Sequence, residues 1–309
     1  MKVFFVANGQ PLENLEFVRF HKRNCCPGGG DTWKGITFVE NYREADFLIV
    51  YNAPNYVPRD FPHEKIVYIK TEPDGFEFTD HYWDYVDKQY SHFFTMDENR
   101  HRRAGWSIDK PYDELTKDFP EKTKKISWIT SNTGDGTQPS NIQILNGHYL
   151  RMIFLKKFID KYPNELDLYG KGLEKYQFQG NKGPIDHKWD ALKDYRYAFV
   201  FENCWQPGYY SEKLCDAVLD GCMPIYWGCP TLEKFLPKDS FIRLDLVRED
   251  AHDLALEIIN SDFRENHLDE LKEAKRLMLN EYSIFPTVKK DLDIVLKKNK
   301  KSKLEVTIT

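Results

Sequence analysis

The sequence predicts an α/β protein of two domains, each built on a mainly parallel sheet. Three observations carry this. Short apolar runs bounded by polar stretches recur along the chain, and they have the length and composition of strands buried on both faces. Beyond residue 125 these runs alternate with segments whose apolar residues recur at helical spacing, the pattern of parallel strands joined by right-handed crossovers. The 309 residues, 41% hydrophobic and 15% aromatic, also suit two cores better than one, at roughly 100–200 residues per domain.

In the first half the expected strands are KVFFVA from Lys2, ADFLIVYN from Ala45, KIVYIK from Lys65 and HFFTM from His92. The glycine run 28–30 has neither a lysine nor a strand–helix frame around it and reads as a turn. Residues 118–125, DFPEKTKK, are polar and contain Pro120, which places the boundary between domains 1–122 and 123–309. KISWIT from Lys125 opens the second half as a strand. Leu150, Ile153, Phe154 and Phe158 then mark a helix, and LDLYGKG a strand ended by its glycines. KWDALKDYR from Lys188 reads as a helix and YAFVFEN from Tyr197 as a strand. In SEKLCDAVLDG, Leu214, Ala217 and Val218 share a helix face, with Ser211 as N-cap and Gly221 as stop. MPIYWG from Met223 is a strand, TLEKFL a short helix, SFIRLD from Ser240 a strand, and 249–282 is largely helical. The basic tail KKNKKSKLEVTIT reads as a solvated helix end or frayed terminus, with weak attraction to an anionic membrane as the sharper alternative.

Composition narrows the function. Lys and Arg number 44 against 49 Asp and Glu, a net −5, so no global basic field draws the chain to nucleic acid. The apolar run at the start is too short for a signal peptide or anchor and no later run approaches ~18 residues, so a cytosolic protein is expected. The six cysteines form no CxxC pair and lack histidines at ligand spacing, so they should be reduced thiols, mostly buried. A metal-dependent transferase would need a DxD triplet after a strand. Asp291-Leu292-Asp293 is such a triplet, but it lies in a helical, lysine-flanked stretch, where pairing with Lys289, Lys290, Lys297 or Lys298 is the simpler expectation.

The segment that invites chemistry is FENCWQPGYYSEK, residues 201–213. Ligands of parallel α/β sheets bind beyond the carboxyl ends of the strands, where amides of the next helix point outward. This segment follows a strand, contains a glycine and opens a helix, so a diphosphate could meet both the helix N-terminus and the Lys213 ammonium. Glu212 beside Lys213 has two readings, a ligand-facing carboxylate or an ordinary helix-dipole partner.

FENCWQPGYYSEKLCDAVLDGCMPIYWGCP resembles the donor-binding signature of the α1,3/α1,4-fucosyltransferases, glycosyltransferase family 10. KISWITSN, HYLRMIFLKKFIDKY and LDLYGKG are similar to the family's strand ending in SN, its arginine-bearing helix and its DxYG strand. The resemblance implies a GT-B fold, two Rossmann-like domains facing a central cleft. The C-terminal domain would hold GDP-fucose and the N-terminal one a glycan acceptor, with inversion at the anomeric carbon and α1,3 linkage to GlcNAc or glucose. It assigns Asn203, Tyr209 and Ser211, the last in the S/T-E-K element, to the donor pocket, Glu212 to the fucose as a catalytic carboxylate, and Lys213 and Arg151 to the pyrophosphate. KTEPDG resembles the motif of the catalytic base, which makes Glu72 that base. Two cations at the leaving phosphate and a carboxylate near the sugar suit the charges that develop as the glycosidic bond breaks, with no metal or other cofactor needed. Cys204 stands where the family has serine, and 133–149 is longer than its counterpart. Acceptor selection would fall to loops such as 25–33 or 76–83. Two other readings stay open: a transferase of the same architecture using another nucleotide sugar, and a non-catalytic carbohydrate- or nucleotide-binding module.

Overall fold

The computed structural model describes residues 1–7, 11–51, 57–73, 92–94, 96, 105–131 and 147–307, with side chains for all of these except 11–13, 93 and 299–307. The chain divides into two compact units, one of Met1–Met96, Lys110–Glu114 and Leu279–Thr309, the other of Asp97–Asp109 and Leu115–Met278.

The first unit contains strands β1 (Lys2–Val6), β2 (Thr32–Trp33), β3 (Ile36–Phe38), β4 (Phe47–Tyr51), β5 (Ile66–Ile69) and β6 (Phe93–Phe94), with helix α1 (Pro11–Cys25) after β1. They form one sheet in the order β2-β3-β1-β4-β5-β6, in which the β2–β3 pair is antiparallel and the other pairs parallel. The register Phe4↔Leu48, Val6↔Val50, Leu48↔Ile66, Val50↔Tyr68 puts these apolar side chains on one face, where they form a buried cluster. Phe5 points to the other face, its ring 4.8 Å from Phe38 and 5.6 Å from Tyr51. Both faces are covered, as expected for strands with near-continuous apolar runs.

The boundary at 122/123 assigns the C-terminal helix to the second domain, whereas residues 279–309 cluster with the first unit. Packing is the reason. On the helix Ile284–Thr307, Ile284, Phe285, Val288, Leu292 and Val295 form a buried stripe, and Phe285 stacks on Phe38 with centroids 3.8 Å apart. Asp293 of the DxD triplet accepts from Lys289 at 2.7 Å, the local pairing its position suggested, while Asp291 is buried. Residues two apart on a helix do not face each other.

The second unit contains β7 (Lys124–Ile129), α2 (Gly147–Lys161), β8 (Asp167–Tyr169), β9 (Tyr195–Phe201), α3 (Glu212–Asp220), β10 (Met223–Trp227), β11 (Ile242–Arg243), α4 (Ala251–Ile259), α5 (Phe263–Asn266) and all but the last two residues of α6 (Leu268–Asn280). Its sheet is parallel throughout, in the order β11-β10-β9-β7-β8. Trp128 of β7 and Phe154 of α2 each pack edge to face on Phe199 and Phe201 of β9, centring the core on one face. Counted in chain order, the parallel strands of both sheets run 2-1-3-4-5, a doubly wound order whose switch point lies between strands 1 and 3. In the second unit that point is β7/β9.

Helix α3 starts and stops as its residues predict. Ser211 Oγ accepts from the Lys213 amide, and Gly221 takes φ 84°, where a Cβ would also meet the Phe119 ring at 2.5 Å. Its burial extends beyond one face, for Cys215, Asp216, Leu219 and Asp220 are buried too. KWDALKDYR is a single 3-10 turn, Lys188–Ala191, rather than a helix. The carbonyls a helix would use are taken: Ala191 O by Ser127 Oγ, Leu192 O by Cys222 Sγ, and Leu192 O and Lys193 O by Lys122 Nζ, at 3.0 Å each for the last two. Lys122, in the expected polar linker, is itself buried against Asp220 at 3.4 Å. TLEKFL shrinks likewise to the 3-10 turn Leu232–Lys234. All six cysteines are buried thiols outside any disulfide, and burial pushes the Cys222 thiol up to about 11. Among the described residues, no helix is long and apolar enough to cross a membrane.

Candidate active site

The site is built at the β7/β9 switch point from the backbone outward. Gly147, the first residue of α2, donates its N–H to Asn203 O at 2.8 Å. A Cβ there would lie 2.0 Å from Glu202 O, so a residue without a side chain is what lets α2 start against the end of β9. One turn later this delivers Arg151, 3% exposed, whose Nη1 donates to Asn203 Oδ1 at 3.0 Å and whose Nη2 donates to His148 Nδ1. Among the described residues, the buried Arg151 Nε has no hydrogen-bond partner. Burial lowers the guanidinium pKa, and Glu202, Tyr209 and Glu212 pull it back up.

The loop between β9 and α3 is clipped shut by Glu202. This wholly buried carboxylate accepts the Ser211 N–H at 2.8 Å, and Ser211 in turn caps α3. Burial raises the Glu202 pKa and the Lys213 cation opposes that shift. Gly228, at φ 154°, leaves room for this side chain, because a Cβ there would meet Glu202 Cγ at 2.5 Å. Tyr209 and Tyr210 are buried within the loop, and Tyr210 packs near Phe235.

Around these groups lies a cavity of ≈ 460 Å³. Its walls include Thr130 and Ser131 at the end of β7, Gly170 after β8 and Asn203 after β9, all at carboxyl ends of strands. Arg151, Lys171, Lys188 and Lys213 bring positive charge to it, and Glu212 and Asp216 bring negative charge. Lys213 Nζ is 3.2 Å from Ser211 Oγ and 3.3 Å from Glu212 Oε1; Lys188 Nζ is 3.0 Å from Asp216 Oδ2 and 3.7 Å from Glu212 Oε1. The His148 pKa is driven down to about 4 by burial and by the Arg151 and Lys213 cations, so its imidazole is neutral near pH 7 and free to accept from Arg151. Such a cluster, part-buried at strand ends, can hold a polyanion more strongly than the same charges in water.

Of the residues singled out in the sequence, Arg151, Asn203, Glu212 and Lys213 line this one cavity; Tyr209 and Ser211, expected at the donor pocket, do not line it, because their side chains are buried within the loop between β9 and α3. Glu72 belongs to the first unit, three residues beyond β5, half-buried between buried Thr71 and Pro73. The turn at 28–30 is confirmed, with Gly28 and Gly29 at φ 65° and 66° and the Gly28 N–H donating to the Asp113 carboxylate. Loop 76–83 and residues 133–146 lie outside the described residues. His148, Lys171, Lys188 and Glu202 were not anticipated. His148 had a signal, standing three residues before Arg151 on the same helix face. Among the described residues, no three His, Cys, Asp or Glu side chains are grouped as metal ligands.

Residues 119–264 match the family described as Glycosyltransferase family 10 (fucosyltransferase) C-term. A fucosyltransferase-like protein of Arabidopsis thaliana is 35% identical over 156 residues, 48% of this chain and 29% of that one. The α-(1,3)-fucosyltransferase FucT of Helicobacter pylori is 35% identical over 60 residues, 19% of this chain and 13% of its own length. The matched stretches thus span under a third of these curated relatives. A crystal structure of an α1,3-fucosyltransferase with GDP-fucose aligns with 96% of this chain and 90% of that one at a TM-score of 0.51 and 17% identity. At that identity the likeness speaks for the fold, two Rossmann-like units of the GT-B type.

Proposed function

We propose that the chain, whose residues 119–264 match glycosyltransferase family 10, transfers L-fucose from GDP-fucose to a hydroxyl of a glycan acceptor. The observation that carries the reading is the convergence of Arg151, Asn203, Glu212 and Lys213, from three separate elements, on one cavity at the sheet's switch point. In this reading Arg151 and Lys213 hold the pyrophosphate, with Asn203 fixing the guanidinium from behind. Glu212 lies toward the fucose, and Tyr209 and Ser211 shape the loop that carries them. The acceptor oxygen attacks the anomeric carbon from the face opposite the phosphate. The C–O bond to the β-phosphate breaks, its electron pair leaves with GDP, and the hydroxyl proton passes to the Glu72 carboxylate, so the anomeric centre inverts. Charge developing on GDP is met by the two protein cations, and no metal is invoked. An α1,3 linkage to GlcNAc or glucose and a cytosolic location belong to the same reading.

Melting-temperature shifts and hydrolysis across GDP-fucose, GDP-mannose and UDP-sugars test it. A preferential response to GDP-fucose is expected. An equal or stronger response to another nucleotide sugar transfers the reading to that donor, and binding without turnover on any of a panel of glycan acceptors makes the chain a binding module.

A further inference from the structure

Two lysines approach the same carboxylate in the cavity, and they are held in different ways. Lys213 rests on Ser211 Oγ at 3.2 Å and on Glu212 Oε1 at 3.3 Å, contacts its flexible four-carbon stem can exchange for a ligand oxygen. Lys188 Nζ is 3.7 Å from the same Glu212 oxygen but 3.0 Å from Asp216 Oδ2. Asp216 lies one helical turn beyond Glu212 on α3 and is 2% exposed. Its other oxygen accepts the N–H groups of Ser107 at 2.8 Å and Ile108 at 2.9 Å, in a stretch where Ile108 is fully buried. Three hydrogen bonds fix that carboxylate, and an ammonium bonded to it is fixed in turn.

This difference matters once the donor arrives. If Lys213 turns to the pyrophosphate, as the proposed function has it, Lys188 stays beside Glu212 Oε1, with Arg151 acting on that carboxylate as well. We propose that Lys188, anchored by Asp216, is a positioning residue that keeps Glu212 ionised and aimed at the sugar after the donor has drawn Lys213 away. A part-buried carboxylate stripped of its cation drifts toward the neutral form and loses its hold on positive charge developing at the sugar. The inference rests on the donor-site reading above and adds a division of labour to it: Lys213 binds, Lys188 holds.

The test compares Lys188→Met, Lys188→Arg and Lys213→Ala by GDP calorimetry and by kcat and KM for GDP-fucose. For Lys188→Met, GDP affinity should stay within about threefold of the parent while kcat falls about tenfold or more, and Lys188→Arg, which keeps the charge, should recover most of that loss. Asp216→Asn should lower kcat in the same direction. The idea is overturned if Lys188→Met weakens GDP as much as Lys213→Ala does, which would make Lys188 a phosphate contact. It is equally overturned by an unchanged kcat, or by a loss that Lys188→Arg does not restore. Because Lys188 is part-exposed, these variants do not depend on tolerating a change at buried Asp216. A parent protein that binds no GDP would instead remove the donor-site reading itself, a separate result.

Discussion

The two units solve the same folding problem with the same strand order and finish it differently. The parallel strands of each sheet run 2-1-3-4-5, with a helix after the first of them. The second unit completes its layers with local sequence, since α2, α3 and the helices after β11 all come from residues within or next to its sheet. The first unit recruits the far end of the chain, with Phe285 stacked on Phe38. Their charge differs as well. At its switch point the second unit brings Arg151 and Lys213 to one cavity, whereas beyond β5 the first unit places Glu72, two residues after buried Lys70. The proposed function uses this difference: it gives the diphosphate to the cations of the second unit and the acceptor proton to Glu72.

The largest expected effect tests the structural half of that comparison. Phe285→Ala removes a fully buried ring and should cost about 3–5 kcal/mol of stability, read by denaturant unfolding. A cost under about 1 kcal/mol would mean that the C-terminal helix is not an integral layer of the first unit. Glu72→Ala tests the chemical half: GDP-fucose binding should survive while transfer drops ~100-fold or more, the scale of a lost general base. Retained transfer would place the base elsewhere.

A smaller, pH-dependent effect sharpens the account of Arg151. The His148 pKa lies near 4 in the fold, below the free value of 6.5. The unfolded chain therefore takes up the proton first, so this group's contribution to stability is present above pH 6.5 and is lost as the pH falls toward 4. At His148→Asn that loss should be absent, and the stability difference between variant and parent should change with pH by at most about 1.4 kcal/mol per unit over the window. Parallel curves for the two proteins would show that His148 is not the neutral acceptor of Arg151.

What the sequence disclosed, and what it hid, follows from how local each feature is. The strands were legible because parallel sheets bury both faces, and α3 because Ser211 and Gly221 act within one turn of its ends. Arg151, Asn203, Glu212 and Lys213 were legible through a motif whose order was specific. KWDALKDYR has helical spacing, but its carbonyls are claimed by Ser127, Lys122 and Cys222, partners remote in sequence. Lys188 gains its role only because that turn points it at Asp216. Lys122 looked like part of a solvated linker, and it is buried because Asp220 and two carbonyls accept its protons. The apolar stripe of the C-terminal helix, masked by lysines between its members, shows that a helix has a sheet to cover but not which one.

The central claim is that the cavity grips a nucleotide diphosphate with protein charge alone. Calorimetric titration of GDP in the presence of EDTA, on the parent chain and on Lys213→Ala, tests it most directly. The account predicts saturable binding by the parent and a loss of ~1.5–3 kcal/mol in the variant, the worth of one charge-assisted contact. Binding that vanishes with the chelator and returns with Mg²⁺ or Mn²⁺, or an affinity indifferent to Lys213, would contradict it.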